Sequence, residues 1–157
     1  MNLRLEFFKK ENFEELCSWY ADSSIEDKLG VLDEEWLEDV LTDTSNLQYG
    51  GFVDDEMVAS VGLYSPELEF PFYVVAEIAV KPSWQRKGVA TKILELLFAD
   101  PELIDSDIWL AFVDADNIEA IKFFEVNGWK NEEGESEEEN LIAYKKINPA
   151  VSTEPQS

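Results

Sequence analysis

Apolar and polar residues alternate from the start of the chain: Leu3, Leu5 and Phe7 are separated by Arg4 and Glu6, the period-two pattern of a half-buried strand. The period then lengthens. Phe13, Leu16, Trp19 and Tyr20 recur at helical spacing behind Asn12, a capping residue type with Glu15 three positions on, and predict a helix over 12–21 that carries Cys17 as a small buried hydrophobe. A second helix follows Asp33, with Trp36, Leu37, Val40 and Leu41 on one face and the acids outward. Residues 48–64 form two β-rich runs around Asp54-Asp55-Glu56, a hairpin pattern. The run FYVVAEIAV at 72–80 is apolar almost throughout, as in a central strand, and Lys81-Pro82 ends it. Val89, Ile93, Leu96 and Leu97 lay a helical stripe on 88–100, stopped by Pro101. Residues 108–113 read as another strand, the segment from Asn117 as a helix ending at Gly128, and 141–147 as a last strand. The acidic stretch 131–140 reads as a solvated loop, and 148–157, without apolar periodicity, as a flexible tail.

The predicted order β, α, α, β, β, β, α, β, α, β is that of a mixed α/β (α+β) fold, expected as a single domain over 1–147. Composition changes the picture in one respect. The 157 residues carry 12 Lys and Arg against 35 Asp and Glu, a net charge of −23, and no histidine. Such a chain is repelled by a phosphate backbone, so no nucleic-acid partner is expected. Without histidine there are no Ser-His or Cys-His catalytic pairs and no histidine metal ligands, and no metal site is expected. Proton transfer falls to carboxylates, tyrosine, lysine, backbone or water. One cysteine permits no intramolecular disulfide. The N-terminus is too charged for a signal peptide and no apolar run reaches the ~18 residues of a membrane span, so a cytoplasmic protein without a membrane partner is expected, as monomer or homodimer.

Against this acidity one stretch stands apart. From Ile78 to Leu94 there is no acid, while Lys81, Arg86, Lys87 and Lys92 fall within it. Gln85, Arg86, Lys87, Gly88, Val89 and Ala90 lie between a predicted strand and a predicted helix, where first-turn N–H groups and the positive end of the helix dipole suit a phosphate or pyrophosphate. Gly88 lets a ligand approach the backbone, Ala90 is small for the same reason, and Thr91 offers a hydroxyl. A basic helix start behind a tight glycine turn accounts for the loop equally well.

The stretch from Ala76 to Leu97, with Glu-Ile-Ala-Val-Lys-Pro followed by Gln85-Arg86-Lys87-Gly88-Val89-Ala90, resembles the acyl-CoA-binding motif of the GCN5-related N-acetyltransferases, Gln/Arg-x-x-Gly-x-Gly/Ala. A second segment in the expected order, Asn117 to Trp129, is similar to that family's Asn-x-x-Ala-x-x-Phe-Tyr-x-x-x-Gly-Phe. The resemblance covers roughly 1–147. It implies a GNAT-type acyl-CoA N-acyltransferase fold, a central splayed mixed sheet flanked by helices, with acetyl-CoA as co-substrate wedged between the strands ending at Val80 and Val113. It implies further that the pyrophosphate lies on the amides from Arg86 to Thr91 and that the pantetheine arm pairs with main chain at Ile78, Ala79 and Val80. Asn117 then bonds that arm or orders the loop; a plain helix N-cap is the equal alternative.

Acetyl transfer to an amine requires a base, because an amine with pKa near ~10.4 is protonated at neutral pH. Glu77, in an otherwise apolar strand, is the candidate base, with a structural role as the alternative. The Val80 N–H or its neighbour is the candidate donor to the thioester carbonyl. Family members that use a tyrosine to protonate the leaving thiolate carry it where this chain has Phe124, which cannot donate a proton but can pack on pantetheine. Tyr144, Tyr73, Tyr20, water or release as thiolate are the substitutes. Cys17, on an acidic helix without a base, is a poor nucleophile. The expected activity is N-acetylation of a primary amine, small molecule or peptide and cationic, by direct transfer in a ternary complex. Trp19, Trp36 and Tyr20 are candidates for an aromatic acceptor pocket or, more simply, for core. The alternative is a catalytically weak or inactive acyl-CoA-binding module, supported by Phe124 and by the NEEGESEEEN run.

Overall fold

Strand β1 (Leu3–Phe7) runs antiparallel to β2 (Asn46–Val53), in register from Leu3 opposite Val53 to Phe7 opposite Tyr49. These belong to a computed structural model that describes residues 2–19, 34–43, 45–132 and 140–148. A tight turn at Asp54-Asp55, with Asp54 left-handed at φ 55°, leads into β3 (Glu56–Tyr64). From Met57 to Leu63 every residue of β3 is buried. The fourth strand, β4 (Tyr73–Val80), is the middle one of a seven-stranded sheet ordered β1-β2-β3-β4-β5-β7-β6, as its near-continuous apolar run predicts. The sheet is mixed, because β4 pairs in parallel with β5 (Ile108–Asp114) while β5 pairs antiparallel with β7 (Leu141–Ile147). Four α-helices are described: α1 (Phe13–Trp19), α2 (Glu34–Thr42), α3 (Val89–Ala99) and α4 (Ile118–Val126). No helix among the described residues is long and apolar enough to cross a membrane.

The chain divides into two compact units. The first spans 1–63 and 77–97. Its core gathers Phe8, Leu16, Trp19, Leu37, Val40, Phe52, Met57 and Ala79, with Phe13 and Trp36 packed against it. The stripe predicted for α1 holds, with Leu16 and Trp19 buried, and that for α3 holds at Val89, Ile93 and Leu97, but Leu94 is buried where Leu96 was expected and Leu96 is only half-buried. Three other local expectations do not hold. Phe7 is 60% exposed and stacks on Tyr49, while Phe8, just past the strand end where the alternation is broken, enters the core at 5%. Leu41, expected on the buried face of α2, is exposed beyond Leu37 and Val40. Asn12 lies inside a 3-10 turn (Lys10–Asn12), and its side chain accepts from the Lys9 N–H at 2.8 Å, so it closes that turn rather than capping forward into α1. Asp33 and Tyr20 fall outside the described residues.

The second unit spans 64–76 and 98–157. Here β5 and β7 pair over their full lengths, and a two-residue strand β6 (Lys130–Asn131) adds to β7 at the start of the stretch expected to be all loop. Its core is aromatic: Tyr73 and Phe98 lie 4.7 and 4.9 Å from Trp109, which is fully buried, and Phe124 meets Trp129 edge-on at 5.0 Å. Asn148, assigned above to the tail, is fully buried and donates its side-chain N–H to the Phe98 carbonyl at 3.1 Å and its main-chain N–H to Asp107 at 2.7 Å. A single polar anchor leaves no trace in hydrophobic periodicity.

Candidate active site

The C-terminal part of β4 and the loop that follows belong to the first unit and form its most unusual segment. The parallel ladder with β5 covers only Tyr73 to Val75, whereas β4 runs on to Val80, so its last five residues lie outside that ladder. Lys81 is tied back to β3 through its N–H to the Val58 carbonyl at 2.8 Å, and a 3-10 turn over Pro82–Trp84 follows. The Gln85 side chain then donates to the Val80 carbonyl at 3.1 Å, anchoring the loop to the strand end. Arg86 and Gly88 both adopt left-handed backbone, at φ 64° and 83°. For Arg86 this conformation costs on the order of 1 kcal/mol, the kind of strain that collects at ligand clamps. Left-handed residues set among ordinary ones turn successive N–H groups to one concave side, an anion-binding arrangement. Within the chain itself only the backbone angle requires glycine at 88, because a Cβ there would meet no protein atom within 4 Å.

The loop opens into α3 at Val89, with its first i to i−4 bond from the Lys92 N–H to the Gly88 carbonyl at 3.1 Å. Amides before that bond have no intrahelical partner, and no acid occupies the first turn to compete for them. Arg86, Lys87 and Gly88 are exposed, and Val89, Ala90 and Thr91 complete the turn. The cations divide. Lys81 is paired with acids: its Nζ lies 2.9 Å from a Glu56 carboxylate oxygen and 3.1 Å from Glu15, and these two bonds, Glu56 first, raise its pKa. Glu56 also accepts from the Trp84 indole at 3.2 Å, so Lys81 fixes the loop instead of greeting a ligand. Lys87 sits over the Trp84 ring at 5.5 Å, Lys92 is 3.7 Å from Glu95, and Arg86 has no carboxylate partner among the described residues.

On the opposite face of β4 from Ile78 and Val80, Glu77 is largely withdrawn from water. Burial raises its carboxyl pKa above the ordinary carboxylate range, and a hydrogen bond from the Gln48 side chain works against that rise. The partners of Glu77 were not visible in the sequence. Gln48 on β2 and Ser60 on β3 are buried polar residues in otherwise apolar strands, and the Gln48 amide donates to the Ser60 hydroxyl at 2.8 Å. The one available signal was a polar residue at a position whose neighbours are all buried.

Asn117 and Phe124 belong to the second unit. Asn117 is the N-cap of α4, its side-chain oxygen accepting from the Ala120 N–H at 3.1 Å. Phe124 is only 7% exposed, held between Phe123, Trp129 and Tyr144. Of the substitute acids, Tyr144 is buried and donates to Glu125 at 3.0 Å, and burial and then Glu125 raise its pKa. Tyr73 is buried too, with its hydroxyl accepting from the Asp105 N–H at 3.2 Å. Trp19 is core, its indole bonded to Glu15 at 2.7 Å, and Trp36 packs on Phe8 and Phe13. Cys17 is half-buried, with its thiol pKa raised by burial and by Glu14. An open groove along α1 and α2 is lined by Lys10, Glu11, Phe13, Glu14, Glu34 and Leu37, acidic on balance.

No curated protein matches the chain significantly by sequence. Solved structures do match in fold. An acetyltransferase from Thermus thermophilus superposes with a TM-score of 0.77 at 17% identity, over 94% of this chain and 97% of that one. Spermidine N-acetyltransferase from Vibrio cholerae, in complex with CoA and spermine, gives 0.74 at 16% identity, over 93% and 95%. The aminoglycoside acetyltransferase AAC(6')-Ib, in complex with coenzyme A, gives 0.76 at 17% identity, over 99% and 100%. Residues 13–129 match the model of the Acetyltransferase (GNAT) family, a stretch that contains β4, its loop, α3 and α4. The chain therefore belongs to the GNAT acetyltransferase family, enzymes that use acetyl-CoA as co-substrate for N-acetylation.

Proposed function

We propose that residues 1–147 act as an N-acetyltransferase domain that moves the acetyl group of acetyl-CoA directly onto a primary amine of a cationic acceptor. The observation that carries this reading is the segment from Ile78 to Thr91: strand residues outside the β5 ladder, then left-handed Arg86 and Gly88 leading into an acid-free helix start. The amides from Arg86 to Thr91 and the Arg86 guanidinium hold the pyrophosphate. Main chain at Ile78 to Val80 pairs with the pantetheine arm, and the Val80 N–H polarises the thioester carbonyl. Gln85 shapes the loop through its bond to Val80. Asn117, besides capping α4, and Phe124 are the candidate cofactor contacts that the second unit carries.

Glu77 takes a proton from the acceptor ammonium, directly or through water. The neutral amine attacks the thioester carbonyl carbon, the C–S bond breaks, and the proton shed by the attacking nitrogen passes through water to the departing CoA thiolate, while the proton held by Glu77 returns to solvent. No tyrosine is needed for the last step, since a thiol with pKa near ~8.5 is a competent leaving group. A cationic acceptor is favoured by the net charge of −23 and by the Glu11, Glu14 and Glu34 groove, which concentrate protonated amines. The neighbours named for spermidine and aminoglycosides act on acceptors of that kind.

The burial of Tyr144 and Tyr73, with Phe124 at the usual tyrosine position, favours a second reading: an acyl-CoA-binding module with weak or no turnover. Titration of released thiol, during incubation of the protein with acetyl-CoA and a panel of polyamines, aminoglycosides and lysine peptides, separates the two. Enzyme function is expected to give stoichiometric thiol and acetylated amine. Calorimetric binding of acetyl-CoA without thiol release from any amine would establish the module instead.

A further inference from the structure

Three polar side chains from three adjacent strands meet inside the first unit, and the enzyme reading uses only one of them. Gln48 is 5% exposed and Ser60 2%, and both lie among residues buried almost completely. The main chain of Gln48 is fixed where its carbonyl accepts from the Phe8 N–H at 2.8 Å. Its side chain crosses β3 at Gly62. A Cβ on Gly62 would lie 2.9 Å from the Gln48 side-chain oxygen and 3.4 Å from both Cγ and a carboxylate oxygen of Glu77. Glycine at 62 is thus the opening through which a β2 side chain reaches a β4 side chain. A primary amide has two N–H donors. One goes to the Ser60 hydroxyl at 2.8 Å and the amide also bonds the Glu77 carboxyl. Buried polar groups of this kind cost stability unless satisfied, so an apolar residue at 48 would serve a purely structural strand better.

We propose that Gln48, oriented by Ser60 and admitted by Gly62, is a positioning residue that holds the Glu77 carboxyl group in place and keeps it ionisable. The proposal rests on the base reading of Glu77 for its kinetic consequence only. An amide N–H stabilises a carboxylate and has nothing to give the donor face of a carboxylic acid, so Gln48 opposes the effect of burial. Burial and Gln48 are the influences on Glu77, and no charged group on β2, β3, α1 or α2 joins them among the described residues. Ser60 matters because its hydroxyl anchors the Gln48 amide nitrogen at 2.8 Å. With its hydroxyl accepting one N–H, the oxygen end is held over Gly62 and the second N–H is left for the carboxylate.

The test pairs kinetics with direct titration of the full-length protein. The Glu77 carboxyl is followed by 13C NMR, assigned by its disappearance in Glu77→Gln, alongside the pH profile of kcat/KM for acetyl-CoA with the best amine. In Gln48→Met, nearly isosteric but without a donor, both the carboxyl titration and the acidic limb are expected to move to higher pH. The rate then falls about tenfold on the acidic limb and stays within about two-fold on the alkaline plateau, the pattern of a lost hydrogen bond to the charged form. Ser60→Ala should move both in the same direction by less, Ser60→Thr should restore them, and Gly62→Ala, which displaces the amide, should behave as Gln48→Met. If Gln48→Met does not fold, the Ser60 pair and Gly62→Ala carry the test. A carboxyl titration that stays in place while the rate falls equally at every pH would overturn the proposal. A titration that moves while the rate profile does not would uphold the hold on Glu77 and remove Glu77 as the base.

Discussion

Replacing Arg86 by Glu together with Gly88 by Asp is expected to raise the Kd for acetyl-CoA by at least about 100-fold, measured by calorimetry, with the fold intact by circular dichroism. A factor of 100 corresponds to about 2.7 kcal/mol. The first change exchanges a cation that has no carboxylate partner among the described residues for an anion at the proposed diphosphate site, and charged hydrogen bonds are each worth about 1.5–3 kcal/mol. The second puts a side chain, and a negative one, on a residue held at φ 83°, where only glycine sits without strain. Both residues are exposed, so little core packing is disturbed. A control is built into the structure. Lys81, equally basic and equally close in sequence, is already neutralised by Glu15 and Glu56, so Lys81→Gln should weaken binding far less than reversal at Arg86. An unchanged Kd in the double variant would remove the loop as the phosphate site.

Glu77→Gln is expected to lower kcat by about 10²- to 10⁴-fold, the span of a positioned general base, with the KM for acetyl-CoA nearly unchanged. The pH profile carries the sign. A base must be deprotonated to act, and burial raises the Glu77 pKa above its ordinary value, so the wild-type rate falls on acidification at a pH higher than a solvated glutamate would give. The variant should lose that limb. The same shift bears on stability. A carboxyl group whose pKa is raised by folding stabilises the native state while protonated, below its unfolded pKa, and that contribution is lost as pH rises through the folded value. Above its unfolded pKa the Glu77 carboxyl is therefore an increasing burden, and Glu77→Gln should melt higher than wild type at neutral pH. At a pH below both values the gap should close. A variant that is less active and more stable at neutral pH separates a functional carboxylate from a structural one, whose removal would lower both.

The fold was legible because its elements carry undisturbed periods. β4 was recognisable as the central strand from one apolar run, and α3 and α4 from their stripes and stops, Pro101 and Gly128. The candidate loop stood out for a different reason: it interrupts the charge pattern of the chain and stands between two such elements. What escaped is what chain order does not encode. Counting charge along the sequence made Lys81 one of four free cations, but its acids come from β3 and α1, tens of residues away. Tyr144 and Tyr73 kept their hydroxyls as candidate acids until packing showed those hydroxyls engaged inside the second unit. Gln48, Ser60 and Gly62 are ordinary in their own segments and acquire meaning only when β2, β3 and β4 lie side by side. Phe7 and Asn148 show the same limit at element ends, where periodicity stops and a turn or one hydrogen bond decides which residue is buried.

The most direct measurement is a crystal structure with acetyl-CoA. The pyrophosphate is expected on the amides from Arg86 to Thr91 with the Arg86 guanidinium against it, pantetheine paired with Ile78 to Val80, and the thioester carbonyl within hydrogen-bond distance of the Val80 N–H. A cofactor whose diphosphate lies elsewhere, with that loop facing only solvent, would contradict this assignment.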